Sequence, residues 1–387
     1  MIQRKILRMK YTVHHRGKNK TYKMSNSRLS KNIKLIHMQQ LADYREKKLR
    51  KNPQLRSLFI EMTGLCNEKC RHCGSSCGDY KVENQLSIDE IKAVLDTVKE
   101  DFDLSGLQLC ITGGEPLLRP DFFEIMGYAK KLGFHWGMTS NGILIDKGVA
   151  RKLHETGMET ISISLDGLKE SHEWFRRVPG CYDMAVSGIR NLLEEGGFSH
   201  VQITTVIHHK NIDELEQMYE EFRKIGVRSW RVINIEPIGR ALEQQELALN
   251  KAEYRYLIEF IEKMRFADPK FEVTYGCSHY LGVDRERESR EWYFICNAGV
   301  YTASVMFNGD VGACLDIERR PETIMGNIRQ ERLSDIWKNK FEIFRTDYRK
   351  CGKCAECDDY KFCAGDSFHT WDFDEMKPRI CMRDILK

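Results

Sequence analysis

The 387-residue chain contains 14 cysteines, and most of them fall into two groups whose spacing suits metal ligation. In the first, Cys66, Cys70 and Cys73 lie in one short stretch. Three thiolates from one loop can hold three irons of a [4Fe–4S] cluster and leave the fourth iron to a ligand that is not protein. Structural zinc is normally closed by four ligands, so a three-thiol loop makes an unusual zinc site. The second group is Cys277, Cys296, Cys314, Cys351, Cys354, Cys357, Cys363 and Cys381. Eight thiolates are the number that closes two such clusters. A zinc ribbon is the competing reading, since Cys-x-x-Cys pairs also bind zinc. Cys77, Cys110 and Cys181 are left over: Cys110 reads as a core residue, and Cys77 as a neighbour of the first group.

These thiols read as ligands rather than disulfides because of the compartment the chain implies. No apolar run approaches the roughly 20 residues that span a bilayer. The basic N-terminus lacks the apolar region of a secretory signal. Both points predict a cytoplasmic protein with no membrane partner, where clustered cysteines bind metal.

The elements that must position the thiols alternate regularly. Short apolar runs at 58–62, 107–112, 134–139, 160–165, 201–206 and 230–235 read as buried parallel strands. Between them lie helical stripes such as Ile88, Ile91, Val94, Leu95 and Val98, and Leu215, Met218, Tyr219 and Phe222. Ser87 and Asp213 stand at expected helix caps. Six strand–helix units predict an α/β fold, a partial (β/α)6 TIM-like barrel. The expected divisions are a basic extension over 1–56, the barrel over 57–245, a linker helix over 246–274, and a cysteine-rich domain over 275–387. Through Arg56 there are 17 Lys or Arg against only Asp43 and Glu46, so the chain's net charge of +4 hides an acidic body. This extension reads as a solvated tail, or as a surface for an acidic peptide or nucleic acid.

The first thiol group follows the first strand, at the rim where parallel α/β folds build their sites. Gly113, Gly114, Glu115 and Pro116 close the second strand; the glycines admit close backbone approach, and the carboxylate can accept from a protonated amine. Ser140 and Asn141 follow the third strand, and Ser164 and Asp166 leave the fourth.

This succession resembles the radical S-adenosylmethionine (SAM) superfamily, with His72 a mild departure where an aromatic is more usual. The resemblance implies that Cys66, Cys70 and Cys73 hold a [4Fe–4S] cluster that binds SAM, and that the Gly113–Pro116 turn holds its amino group. It further implies that Ser140, Asn141, Ser164 and Asp166 border SAM, with His172 and Arg176 just beyond. Glu236, Pro237, Ile238, Gly239 and Arg240 are similar to the family's end motif. The implied chemistry is reductive cleavage of SAM to a 5′-deoxyadenosyl radical, fed by ferredoxin or flavodoxin.

The C-terminal cysteines resemble the SPASM domain, which carries auxiliary clusters, except that Ser367 stands where the pattern expects a cysteine. With Cys277 and Cys351 compensating, one auxiliary [4Fe–4S] cluster would use Cys277, Cys296, Cys314 and Cys351, and the other Cys354, Cys357, Cys363 and Cys381. Asp316 sits near where sulfatase-maturing relatives keep a catalytic base. The expectation is an oxidative maturase of a ribosomally made peptide, forming a thioether, a carbon–carbon crosslink or an epimer. Formylglycine formation in sulfatases and modification of a small-molecule or haem-type precursor are the alternatives. With no RNA-binding module in view, nucleic acid is not the expected partner, and the intact motifs oppose a non-catalytic iron–sulfur protein.

Overall fold

The computed structural model describes residues 30–78, 83–277 and 279–387. Most of the basic extension, including His14 and His15, lies outside these. One ten-stranded sheet organises the molecule, in the order β10-β9-β8-β1-β2-β3-β4-β5-β6-β7. All six expected strands form: β1 Ser57–Glu61, β2 Gln108–Thr112, β3 His135–Ser140, β4 Met158–Ser164, β5 His200–Ile207 and β6 Ser229–Asn234. They pair in parallel in sequence order, and the sheet is open, ending on β7 and β10.

Both stripes seen in the sequence bury against it. Ile91, Val94, Leu95 and Val98 do so from helix Ile88–Asp101, and Leu215, Met218, Tyr219 and Phe222 from helix Leu215–Ile225. Ser87 caps the first of these in a reciprocal capping box with Glu90. Asp213 does not act as a cap: it lies inside the 3-10 turn Ile212–Glu214 that leads into the helix.

Two extensions of the sheet were not foreseen. β7 Glu272–Tyr275 adds in parallel to β6 after helix Lys251–Met264, so the expected linker supplies a seventh strand. At the other edge β8 Thr302–Val305 pairs in parallel with β1, and β9 Asp310–Gly312 pairs antiparallel with β8. β10 Gly326–Asn327 completes that edge. The cysteine-rich segment therefore shares the main core, with Val305, Phe341, Trp371 and Met382 in the same apolar cluster as Leu58 and Ile111.

Helix Lys31–Tyr44 is the other surprise. Met38 and Ala42 pack onto Tyr280, Tyr293, Phe294 and Phe362. Lys34 Nζ meets Glu288 at 2.5 Å and donates to the Asp284 carbonyl at 2.6 Å. Arg45 donates to the Lys361 and Phe362 carbonyls at 2.7 and 3.1 Å. This part of the basic extension spends its charge on the C-terminal segment.

Side-chain parity decides what the sheet offers on its two faces. Leu58, Leu109, Ile161, Ile203, Trp230 and Val232 face the helices and are buried there. The opposite row follows the register from Thr139 to Ser162 to Gln202 and, one step on, from Ser164 to Thr204 to Arg231 to Thr274. Trp230, fully buried between Phe222, Phe260 and Phe271, anchors the helix face of β6. Trp230→Ala is expected to cost about 3–5 kcal/mol in a denaturant titration.

Candidate functional site

The loop after β1 carries Cys66, Cys70 and Cys73, and three other rims hold it. Arg240 donates from Nε to the Cys70 carbonyl at 2.7 Å and from Nη1 to the Cys77 carbonyl at 2.8 Å. Its own N–H reaches the Cys73 carbonyl at 3.1 Å. Gly239 makes this approach possible: its φ is +51°, and a Cβ would lie 2.3 Å from the carbonyl oxygens of Cys73 and Gly74. The Glu236 to Arg240 motif thus clamps the cysteine loop.

The β2 rim crosses under the same loop. A Cβ on Gly114 would sit 1.9 Å from the Leu65 oxygen, and one on Gly113 2.5 Å from the Thr63 oxygen. Gly114 and Glu115 donate their N–H groups to those two chain segments, at Thr63 and Leu65, each at 2.8 Å. The Glu115 carboxylate accepts from Ser140 Oγ at 3.0 Å, Asn141 N at 2.9 Å and Leu117 N at 3.3 Å. It therefore joins the second rim to the third. Asn141 Nδ2 continues the link to Asn67 Oδ1 at 2.7 Å, one residue beyond Cys66. Burial lifts the Glu115 carboxyl from the ordinary 4.5 to about 7.

Asp166 and Arg176 lie behind the loop. Arg176 Nε donates to Asp166 Oδ2 at 2.6 Å, and Nη1 to Glu68 Oε2 at 3.0 Å and to Cys70 Sγ at 3.5 Å. Burial alone would raise the Asp166 carboxyl, but Arg176 holds it below the usual range. Asp166 is tied to the barrel by Val206 N at 2.8 Å, and its own N–H donates to His172 Nδ1 at 2.9 Å. Asp166, His172 and Arg176 thus brace the cysteine loop, and Ser164 lines the barrel face beside Thr204.

The three thiols come together. Burial raises Cys66 to about 11 and Cys70 well above the ordinary thiol value, and the thiols' mutual repulsion adds to this. Cys66 and Cys70 thus ionise readily only beside a strong cationic centre, as metal ligands do, whereas the hydrogen bond with the Cys77 thiol brings Cys73 down to about 6. Three soft donors on a clamped loop, with glycine turns crossing it, fit a SAM-binding iron–sulfur cluster.

The C-terminal thiols stand near one another in overlapping groups. Cys354 lies within electrostatic reach of Cys357 and Cys351, and Cys363 within reach of Cys381 and Cys354. Cys314 has Cys296 beside it. The groups acting most on Cys277 are Glu236, Asn234 and Tyr275, not another thiol. Cys357 Sγ accepts from Arg383 at 3.0 Å. Ser367 is fully buried in a turn whose Ala364, Gly365 and Asp366 all have positive φ. Asp316 lies over the mouth, with Oδ1 3.7 Å from the point where a Gly74 Cβ would stand.

Two features escaped the sequence reading. Arg231 projects from the barrel face of β6, within electrostatic reach of Cys277, Asp316 and Cys110. Its buried Nε lacks a partner; its signal was a charged residue between the apolar Trp230 and Val232. The other is His279, held at Nε2 by Glu236 at 2.8 Å and at Nδ1 by Asp366 at 2.9 Å. Burial would lower its pKa, but the two carboxylates outweigh this and raise it to about 10.

Arg176→Met should destabilise the protein by about 3–5 kcal/mol in anaerobic unfolding, because it strands two buried carboxylates. The Arg176→Met/Asp166→Asn double variant should recover part of that loss. The raised Glu115 pKa means that the folded chain holds this proton more tightly than the unfolded chain. Its contribution to stability is therefore present below about 4.5 and is lost as pH rises to about 7. Urea midpoints at pH 5 and pH 7.5 should differ less in Glu115→Gln than in the wild type.

Comparisons with known proteins place the chain among established families. Residues 60–222 match the Radical SAM superfamily model, and residues 296–358 match SPASM, an iron-sulfur cluster-binding domain. The AdoMet-dependent heme synthase of Nitratidesulfovibrio vulgaris is 28% identical over 330 residues, covering 81% of this chain and 88% of that protein. The mycofactocin maturase MftC of Mycobacterium tuberculosis is 29% identical over 322 residues, covering 80% of this chain and 77% of that protein. Streptococcus suis SuiB bound to S-adenosylmethionine shares the fold with a TM-score of 0.69 at 18% identity, over 94% of this chain and 84% of that one. No helix among the described residues is long and apolar enough to cross a membrane. The chain is a radical SAM enzyme carrying a SPASM domain.

Proposed function

We propose that the enzyme oxidatively modifies a ribosomally made peptide, with an acidic group of that peptide set against Arg231. The observation that carries this reading is the barrel face. Thr139, Ser162, Gln202, Ser164, Thr204 and Thr274 form a polar row on this face, and Thr204 and Thr274 stand in register on either side of Arg231. Among the described residues Arg231 forms no ion pair, and the carboxylate acting on it, Asp316, is within electrostatic reach only. A peptide offers such a surface backbone N–H and C=O groups, and an acidic side chain would supply the missing anion. One relative is named as a mycofactocin maturase, and one fold neighbour is described as bound to its precursor peptide.

In this reading Cys66, Cys70 and Cys73 hold the cluster, and the Gly113 to Pro116 turn, Ser140 and Asn141 border SAM. When bound, the cluster and SAM would supply hydrogen abstraction from the substrate by one-electron cleavage, fed by a ferredoxin or flavodoxin. The chain's own work is positioning. Arg240 and Arg176 fix the loop, Arg231 orients the substrate, and Asp316 over the mouth is placed to accept a proton. The SPASM thiols would hold up to two auxiliary clusters that take the second electron. A tetrapyrrole is the second reading, favoured by relatives named as heme synthases and by the match of Arg231 to a propionate.

The test is anaerobic assay for 5′-deoxyadenosine and for a substrate mass change, with candidate precursor peptides and with iron-coproporphyrin in parallel. The peptide reading predicts a mass loss in the peptide alone; modification of the porphyrin alone would overturn it. Replacing Cys66, Cys70 and Cys73 together by Ala should abolish SAM cleavage. Arg231→Gln should raise KM by about 10- to 150-fold, the effect of losing one charged hydrogen bond of about 1.5–3 kcal/mol.

A further inference from the structure

Glu236, His279 and His369 come from three separate parts of the chain and converge beside the barrel mouth. Glu236 lies just past β6, His279 past β7, and His369 in the buried turn that contains Ser367. One ligand atom from each lies within 4.8 Å of the other two. His279 Nε2 is 2.8 Å, and His369 Nε2 3.6 Å, from the same Glu236 oxygen. The second Glu236 oxygen is buried and has no hydrogen-bond partner.

We propose that Glu236, His279 and His369 form a mononuclear divalent-metal site of the zinc class. The donors are two imidazoles and a carboxylate, the set borderline cations favour. Around a tetrahedral zinc, with bonds of about 2.0–2.1 Å, neighbouring donors stand ~3.3 Å apart. The observed separations bracket that value, so a small outward shift of Glu236 admits the ion. Two carboxylates meet at the His279 imidazole, and the cluster therefore demands one positive charge, either a proton or a metal ion.

The surroundings match what a metal-bound histidine needs. Asp366 Oδ2 accepts from His279 Nδ1 at 2.9 Å, which turns Nε2 toward Glu236. Asp366 is itself held by Tyr280 N at 2.9 Å, in a backbone with φ of +69°. Arg290 donates to the carbonyls on either side of His279, from Nη1 to Cys277 at 2.7 Å and from Nη2 to His279 itself. His279 is fully buried, whereas Glu236 and His369 keep 11% and 13% of their side chains exposed. Three protein ligands with this partial opening leave a position for water or for a substrate group.

The test uses the full-length protein after anaerobic cluster reconstitution, loaded with zinc, freed of excess by gel filtration, and assayed for zinc, iron and sulfide. One zinc per chain is expected in the wild type. His369→Ala and Glu236→Gln should each retain less than about a tenth of it at equal iron and sulfide, and Asp366→Asn should weaken binding about 10- to 100-fold. Zinc-edge X-ray absorption should show nitrogen and oxygen ligands only. Absence of zinc from the wild type, sulfur ligation at about 2.3 Å, or full zinc retention in His369→Ala would each overturn the site. His369 is not in the core, and the iron content of each variant reports that it has folded.

Discussion

Arg176 lies between the carboxylates of Asp166 and Glu68, nearly out of reach of water, and the rest of the rim takes its position from that contact. Asp166 is fixed to β5 through Val206 N, and its carbonyl accepts from Asn211 at 2.9 Å. Glu68 lies in the cysteine loop between Cys66 and Cys70. The guanidinium therefore transmits the position of the barrel wall to the loop that must present three thiols. A buried charge triad is a poor source of stability, because desolvation offsets most of its attraction. Its value here is directional: an apolar residue of equal volume would fill the space without fixing where Cys70 points.

The parts of this molecule legible in sequence are those decided over a few residues. Strand periodicity, the Ser87 and Glu90 box and the spacing of Cys66, Cys70 and Cys73 are local facts, and each forms where the pattern places it. What escaped depends on contacts between distant segments. Nothing around Thr302 to Val305 says that this strand joins β1, 245 positions earlier. Asp213 looks like a cap, but the backbone enters its helix through a 3-10 turn, so the cap position is never formed. Gly113 and Gly114 suggested close approach to a ligand. Their nearest neighbours are in fact the carbonyls of Thr63 and Leu65, because two rims must cross there.

The thiol partition illustrates the same limit. The resemblance, with Cys351 compensating for Ser367, set Cys351 with Cys296 and Cys314; in the structure it precedes the short helix Gly352–Ala355 and lies within electrostatic reach of Cys354. Cys277 goes the other way, into the wall beneath β6 and β7, where Asn234 N donates to its sulfur at 3.3 Å. Cys296 lies beside Cys314 and also shares an apolar cluster with Cys363, so the thiols do not fall into separate sets. The buried turn with Ser367 gives up a thiol at the patterned position and presents Asp366 and His369 to the barrel instead. A departure from the family pattern and a new polar cluster are the same few residues.

These connections make the SPASM segment part of the main sheet and core rather than an appendage. β8 extends the sheet from β1, so the chain that carries Cys314 must pass over the barrel mouth, and Asp316 arrives there with it. Arg319 donates to Glu61 at 2.6 Å on the adjacent rim and partly offsets the burial that holds this carboxyl above its ordinary value. One strand-end carboxylate thus has its cation, whereas Arg231 across the barrel forms no ion pair among the described residues and has Asp316 only within electrostatic reach. An electrostatically incomplete lumen costs stability unless something else completes it. In the proposed reading an anionic group of the substrate would complete the pairing, and substrate choice would rest jointly on β6 and on the segment that closes over it.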